Sequence, residues 1–163
     1  MMILTYSRNK YAATTDMSDG SLFVQTRVDD TVFSATMDMI VKPPLLEIIS
    51  INGEILRACS EECQDAATLL QKAVGLQIGT GFIKTVNSLI GESYGCPRMA
   101  DLVLEGCDQV ILRFTVDPLR QILTKSAEEL MDAHKMFVAG NPRLIGSCIA
   151  FSKESPLMAG VEL

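Results

Sequence analysis

The chain changes its hydrophobic period once, near Ala58. Up to that point apolar residues alternate as they do along half-buried strands; beyond it they recur at helical spacing. Strands first and helices after predict an α+β fold, with the helices packed on one face of an antiparallel sheet. Residues 3–15 form a candidate strand that ends in the turn cluster Thr15-Asp16-Met17-Ser18-Asp19-Gly20, and residues 22–28 form a second, rich in β-branched and aromatic side chains. Asp29-Asp30 marks a bend. Residues 32–42 then divide into two faces, with Thr36, Asp38 and Ile40 on one and Ala35, Met37, Met39 and Val41 on the other. Pro43-Pro44 ends that strand. Residues 45–51 alternate up to Asn52-Gly53, a strong turn signal, and residues 54–58 continue beyond it. The expected sheet has three to five strands.

The second part predicts three to four helices. Ser60-Glu61-Glu62-Cys63 has an N-cap and an acidic first turn, and Ala66, Leu69, Leu70, Ala73 and Val74 carry an apolar stripe to Gly75. The glycine-rich stretch 75–81 reads as a linker into a helix over 82–90. Another helix starts near Gly95-Cys96-Pro97, since proline suits a first helical turn. Asp117-Pro118 reads as a fresh cap for a fourth helix over 119–138, stopped by Gly140-Asn141-Pro142. Residues 144–151 suit an added strand or an interface segment, followed by a frayed tail. These signals divide the chain into an α+β domain over 1–116 and a C-terminal helix plus tail over 117–163, packed on the domain or on a partner.

A length of 163 residues is enough for a proper core. Although 48% of residues are apolar, no run approaches the roughly 18 that cross a bilayer, and the polar start does not suit a signal peptide. The expectation is a cytoplasmic protein with no membrane role. A net charge of −6 argues against nucleic acid as a partner, because a phosphate backbone would be repelled. With five cysteines the count is odd, so at least one thiol is unpaired and a disulfide scaffold is the weaker option.

Few residues suggest chemistry. The stretch 75–81 lacks the GK[ST] ending of a phosphate loop and follows a helix instead of a strand. His134, the single histidine, has no recognisable serine or cysteine partner, so a hydrolytic triad is unsupported. Cys63 and Cys96 stand at helix starts, where unpaired backbone N–H groups favour thiolate; they are either reactive, metal-binding or small apolar fillers. Cys59, Cys107 and Cys148 have mostly small or apolar neighbours and are expected in the core. Asp38, flanked by Met37 and Met39, either faces solvent or is held in place for a reason.

Asp19-Gly20 before a strand, Met37-Asp38-Met39, Cys63 opening a helix, the run 74–82, Ile90-Gly91 and Gly95-Cys96 occur in one order. Over about residues 3–115 the chain thereby resembles a bacterial family catalogued only as a domain of unknown function, DUF2889. Members of that family typically have His-Asp-Met at Met37-Asp38-Met39 and Gly-Cys-Thr-His at Gly95-Cys96-Pro97-Arg98, so two imidazoles are missing here. A more distant likeness is to iron–sulfur cluster assembly scaffolds, which also place an Asp on a strand and cysteines at two later helix starts. Where the scaffolds carry a further cysteine before the Asp, this chain has Thr36.

This likeness implies a non-enzymatic protein in which Asp38, Cys63 and Cys96 hold zinc or an iron–sulfur species for delivery. Two thiolates and a carboxylate would leave a fourth position open. One alternative is a metal-free accessory module that forms a homo-oligomer or binds a protein partner. Another is a small-molecule enzyme with Cys63 or Cys96 as nucleophile.

Overall fold

The N-terminal half forms an antiparallel meander of four strands in the order β1-β2-β3-β4: Arg8–Asp16, Leu22–Asp30, Ser34–Lys42 and Glu47–Arg57. The computed structural model describes residues 2–92, 94–123 and 126–160. Each strand end has a local cause. Between β1 and β2, Gly20 takes φ 81° and the Asp19 carboxylate accepts bonds from the Ser21 backbone at 3.0 Å and hydroxyl at 2.6 Å. Between β2 and β3, Asp30 folds its carboxylate back over the turn, accepting from the backbone N–H of Val32 at 2.9 Å and of Phe33 at 2.7 Å.

Pairing register puts Val24, Met39 and Ile51 in one row across β2, β3 and β4, all facing the core. Thr36, Asp38 and Ile40 point the opposite way, as the alternation requires. Contrary to the turn expected at Asn52-Gly53, β4 runs straight through both residues. Glycine stands there because Leu70 and Met99 come in over the strand: a Cβ on Gly53 would lie 2.5 Å from Leu70 Cδ1 and 2.7 Å from the Thr36 carbonyl oxygen.

Residues Glu61–Ala73 wind as a 3₁₀ helix and not as the α-helix expected. Three residues per turn line up side chains at i and i+3, and an alanine-rich stretch satisfies either period. Gln64, Ala67, Leu70 and Ala73 make one line, of which Leu70 and Ala73 are buried. Cys63, Ala66 and Leu69 make a second, and Glu62, Asp65 and Thr68 a third. Gln71 Nε2 ties the helix to β4 through the Ile51 carbonyl at 2.5 Å. The glycine-rich stretch then bonds along β4, with Gly75 N donating to Ile48 O at 2.8 Å and Ile48 N to Leu76 O at 2.9 Å.

Helix α1, Phe82–Val86, continues into a π turn over Asn87–Gly91, and α2 covers Pro97–Leu123. Cys96 caps α2: its carbonyl accepts from Ala100 N at 3.1 Å, and Pro97 follows as the first helical residue, as expected. Gly106 lets α2 approach the sheet, since a Cβ there would meet the methyl ends of Met37 and Met39 at 3.0 Å. The core gathers Val24, Met37, Met39, Ile51, Leu70, Met99 and Val103, each fully buried side chain contributing about 1.5–3 kcal/mol.

Two compact units divide between Arg113 and Phe114, inside α2. α2 passes through Pro118, and the next helix, α3 at Ala127–Ala139, starts later than expected. Ser126 provides its cap, with a reciprocal bond to Glu129. Residues 144–151 form short 3₁₀ turns and no strand. Of the segments expected there, Thr124, Lys125 and the tail end 161–163 lie outside the described residues. No described helix is long and apolar enough to cross a membrane.

Candidate functional site

A cleft of about 720 Å³ opens in the first unit, within the range typical of small-molecule sites. Three segments build it. The β2–β3 turn contributes Val32 and Phe33, the end of β4 and the 3₁₀ helix contribute residues from Ala58 to Leu69, and the start of α2 contributes residues from Tyr94 to Arg98. The period of three explains the second wall: the Cys63–Ala66–Leu69 and Glu62–Asp65–Thr68 lines both face the cleft, while Leu70 and Ala73 of the remaining line go to the core.

Asp30 positions the other two walls. Its carboxylate has no solvent exposure and gathers Arg8 Nη2 at 2.8 Å, Arg98 Nη1 at 2.8 Å and the Tyr6 hydroxyl at 2.9 Å, besides the two turn N–H groups. Burial alone would raise its pKa. The N–H of Val32, Arg8, Tyr6 and the N–H of Phe33 overcome this and hold the carboxyl well below the usual carboxylate range. Arg98 then lies over the Phe33 ring, 4.9 Å from its centroid. One side chain thus fixes both the turn that presents Phe33 and the helix start that presents Cys96. In the sequence Asp29-Asp30 is visible only as a bend; nothing there marks Asp30 as the organising residue.

Three thiols line this cleft: Cys59, Cys63 and Cys96. Cys59 was expected in the core and is exposed, because it sits in the bend after β4 where the chain leaves the sheet. Its sulfur lies 3.9 Å from that of Cys63, and the Ser60 hydroxyl lies 3.7 Å from the same Cys63 sulfur. Bonds from Ser60 and Cys59 hold the Cys63 thiol below its ordinary pKa, against burial and the nearby Glu62 charge. Ser60 also lowers Glu62, and its one proton serves one partner at a time.

Asp38 is elsewhere. Its strand position puts it on the outer face of the sheet, exposed, where it accepts a bond from Gln25 Nε2 at 3.2 Å. The expected meeting of Asp38 with Cys63 and Cys96 therefore does not form, for the reason that period-two alternation sends Asp38 and the core methionines to opposite sides. Among the described residues, no group of three His, Cys, Asp or Glu side chains is gathered as a metal ion requires. Of the other cysteines expected in the core, Cys107 is buried and Cys148 is exposed. His134 lies on α3, with Nδ1 2.7 Å from the Leu130 carbonyl oxygen. A smaller recess beside Arg8, Lys10 and Arg98 offers only about 30 Å³, room for little more than water.

Fold and cleft together define an α+β protein in which helices cover one face of a four-stranded meander and meet its turn around a thiol-lined groove. The sequence profile of a family described as a protein of unknown function, DUF2889, matches residues 10–112, well over half of the chain. The chain belongs to that family. No curated protein and no solved structure matches it, so the likeness to iron–sulfur scaffolds has no structural neighbour behind it.

Proposed function

We propose that this protein is a ligand-binding module whose cleft takes an apolar small molecule between Phe33, Ala66 and Leu69. The observation that carries this reading is the cleft itself: a groove of about 720 Å³ with mainly apolar walls, held open by the Asp30 network. An apolar ligand there would release water from carbon surfaces on both sides, the main source of affinity in such sites. Arg98 stands at the wall with its guanidinium held on Asp30 at 2.8 Å, a carboxylate it shares with Arg8.

The expectation of zinc or an iron–sulfur species on Asp38, Cys63 and Cys96 keeps support only from Cys63 and Cys96 lining the same cleft. Asp38 supplies no ligand to that reading.

Titration with N-phenyl-1-naphthylamine, a neutral apolar fluorophore, tests the proposal. Saturable binding is expected for the wild type and loss of it for Ala66→Trp, which fills the groove from its wall. No saturable signal in the wild type, or an unchanged one in Ala66→Trp, refutes the binding reading. Stoichiometric metal in freshly purified protein, lost in Cys63→Ser and Cys96→Ser, would replace it with the metal reading.

A further inference from the structure

We infer that Cys63 and Cys59 form a thiol–disulfide exchange site, through which the cleft takes a small uncharged or cationic disulfide covalently. This deepens the reading of the cleft as the binding site and rests on it. Three observations support the assignment. The two sulfurs already stand 3.9 Å apart at the bend where β4 ends, against the bond length of about 2 Å that a disulfide needs. Both neighbours of the Cys63 sulfur, the Ser60 hydroxyl at 3.7 Å and the Cys59 thiol, can donate to it, which is what an attacking sulfur needs. The pair opens into a groove with room for the organic half of the incoming disulfide, against Ala66 and Leu69.

The chemistry divides into two displacements. The Cys63 sulfur, as thiolate, attacks one sulfur of R–S–S–R; the Cys63–S bond forms, the S–S bond of the reagent breaks, and R–S⁻ leaves and takes up a proton. Cys59 then gives its proton to solvent and attacks Cys63 Sγ, expelling the second R–S⁻, which is protonated in turn. The protein loses two electrons and two protons to become the Cys59–Cys63 disulfide, and the reagent is reduced to two R–SH. Charge selects the reagent: two carboxylates, Glu62 and Asp65, face the groove against one guanidinium, that of Arg98, which shares Asp30 with Arg8. An anionic disulfide is disfavoured at such a wall.

The test uses the full, reduced chain with a chelator present, cystamine as the probe and glutathione disulfide for comparison, followed by intact-protein and peptide mass spectrometry. Cys148, also exposed, is the internal control. The wild type is expected to react at Cys63 roughly tenfold faster than at Cys148 and to end as a species lighter by two hydrogens, linked between Cys59 and Cys63. Cys59→Ser should stop at the stable mixed disulfide on Cys63, and Cys63→Ser should form neither product. Equal rates at Cys63 and Cys148, absence of the internal link in the wild type, or a glutathione disulfide rate equal to that of cystamine overturns the inference. Fluorophore binding by the Cys59→Ser, Cys63→Ser double variant separates the two readings: retained binding with failed exchange sinks only this inference, and absent binding in every form sinks the cleft reading.

Discussion

Replacing Gly53 by alanine measures how tightly the 3₁₀ helix is seated on the sheet. The added Cβ would meet Leu70 Cδ1 at 2.5 Å and the Thr36 carbonyl oxygen at 2.7 Å, with Met99 Cε at 3.4 Å. Comfortable carbon contacts begin near 3.5 Å, so the Leu70 methyl must retreat by about 1 Å. Leu70 has rotamers to use; the Thr36 carbonyl, fixed in the β3–β4 ladder, does not. Overpacking of this kind costs about 1–3 kcal/mol, and the lost flexibility of glycine in the unfolded chain returns about 0.4–1 kcal/mol. A net loss of about 1–2 kcal/mol is expected. Leu70→Ala alone should lose about 2–5 kcal/mol from its cavity. In the double variant the alanine Cβ partly fills that cavity, so its loss should fall short of the summed singles by about 1 kcal/mol. Urea unfolding of the four proteins gives each value. Gly53→Ala as stable as the wild type, or additivity to within about 0.3 kcal/mol, would refute the claim that Leu70 presses on this strand.

Two further predictions follow from groups whose protonation the fold has altered. The Asp30 carboxyl has its pKa depressed on folding, so its contribution is present above the unfolded value near 4 and is lost as pH falls below that; thermal unfolding between pH 6 and pH 3 should show a larger acid loss in the wild type than in Asp30→Asn, and equal losses would contradict the network. The Cys107 thiol is pushed up to about 12 by burial, so iodoacetamide near neutral pH should label Cys59, Cys63 and Cys148 while sparing Cys107 until the protein is denatured.

How far the fold could be read from residues alone depended on whether the deciding neighbour was local. The two faces of residues 32–42 needed only alternation, and the same alternation put Asp38 with Thr36 and Ile40, away from the methionines. The start of α2 needed only Cys96-Pro97. A turn and a close approach both ask for glycine, and at Gly53 the choice is made by Leu70 and Met99, distant along the chain. The 3₁₀ helix is not distinguishable from an α-helix by pattern, because Ala66, Leu69, Leu70 and Ala73 suit a period of three as well as 3.6. In the site, Cys63 and Cys96 carried a local sign, their place at helix starts. Cys59 and Asp30 carried none: one is defined by the bend in which β4 ends, the other by Arg8 and Arg98 arriving from opposite ends of the first unit.

The threefold screw between Glu61 and Ala73 also governs how this segment tolerates changes in length. Inserting or deleting a single residue between Cys63 and Leu70 turns everything beyond it by about a third of a revolution, whereas three residues restore the original facing. A lone insertion would therefore carry Leu70 from the row anchored on β4 to the groove side and turn Lys72 inward in place of Ala73. Drift in this stretch should proceed by triplets of amino acids, and one-residue slips should be selected against even where each new side chain is small.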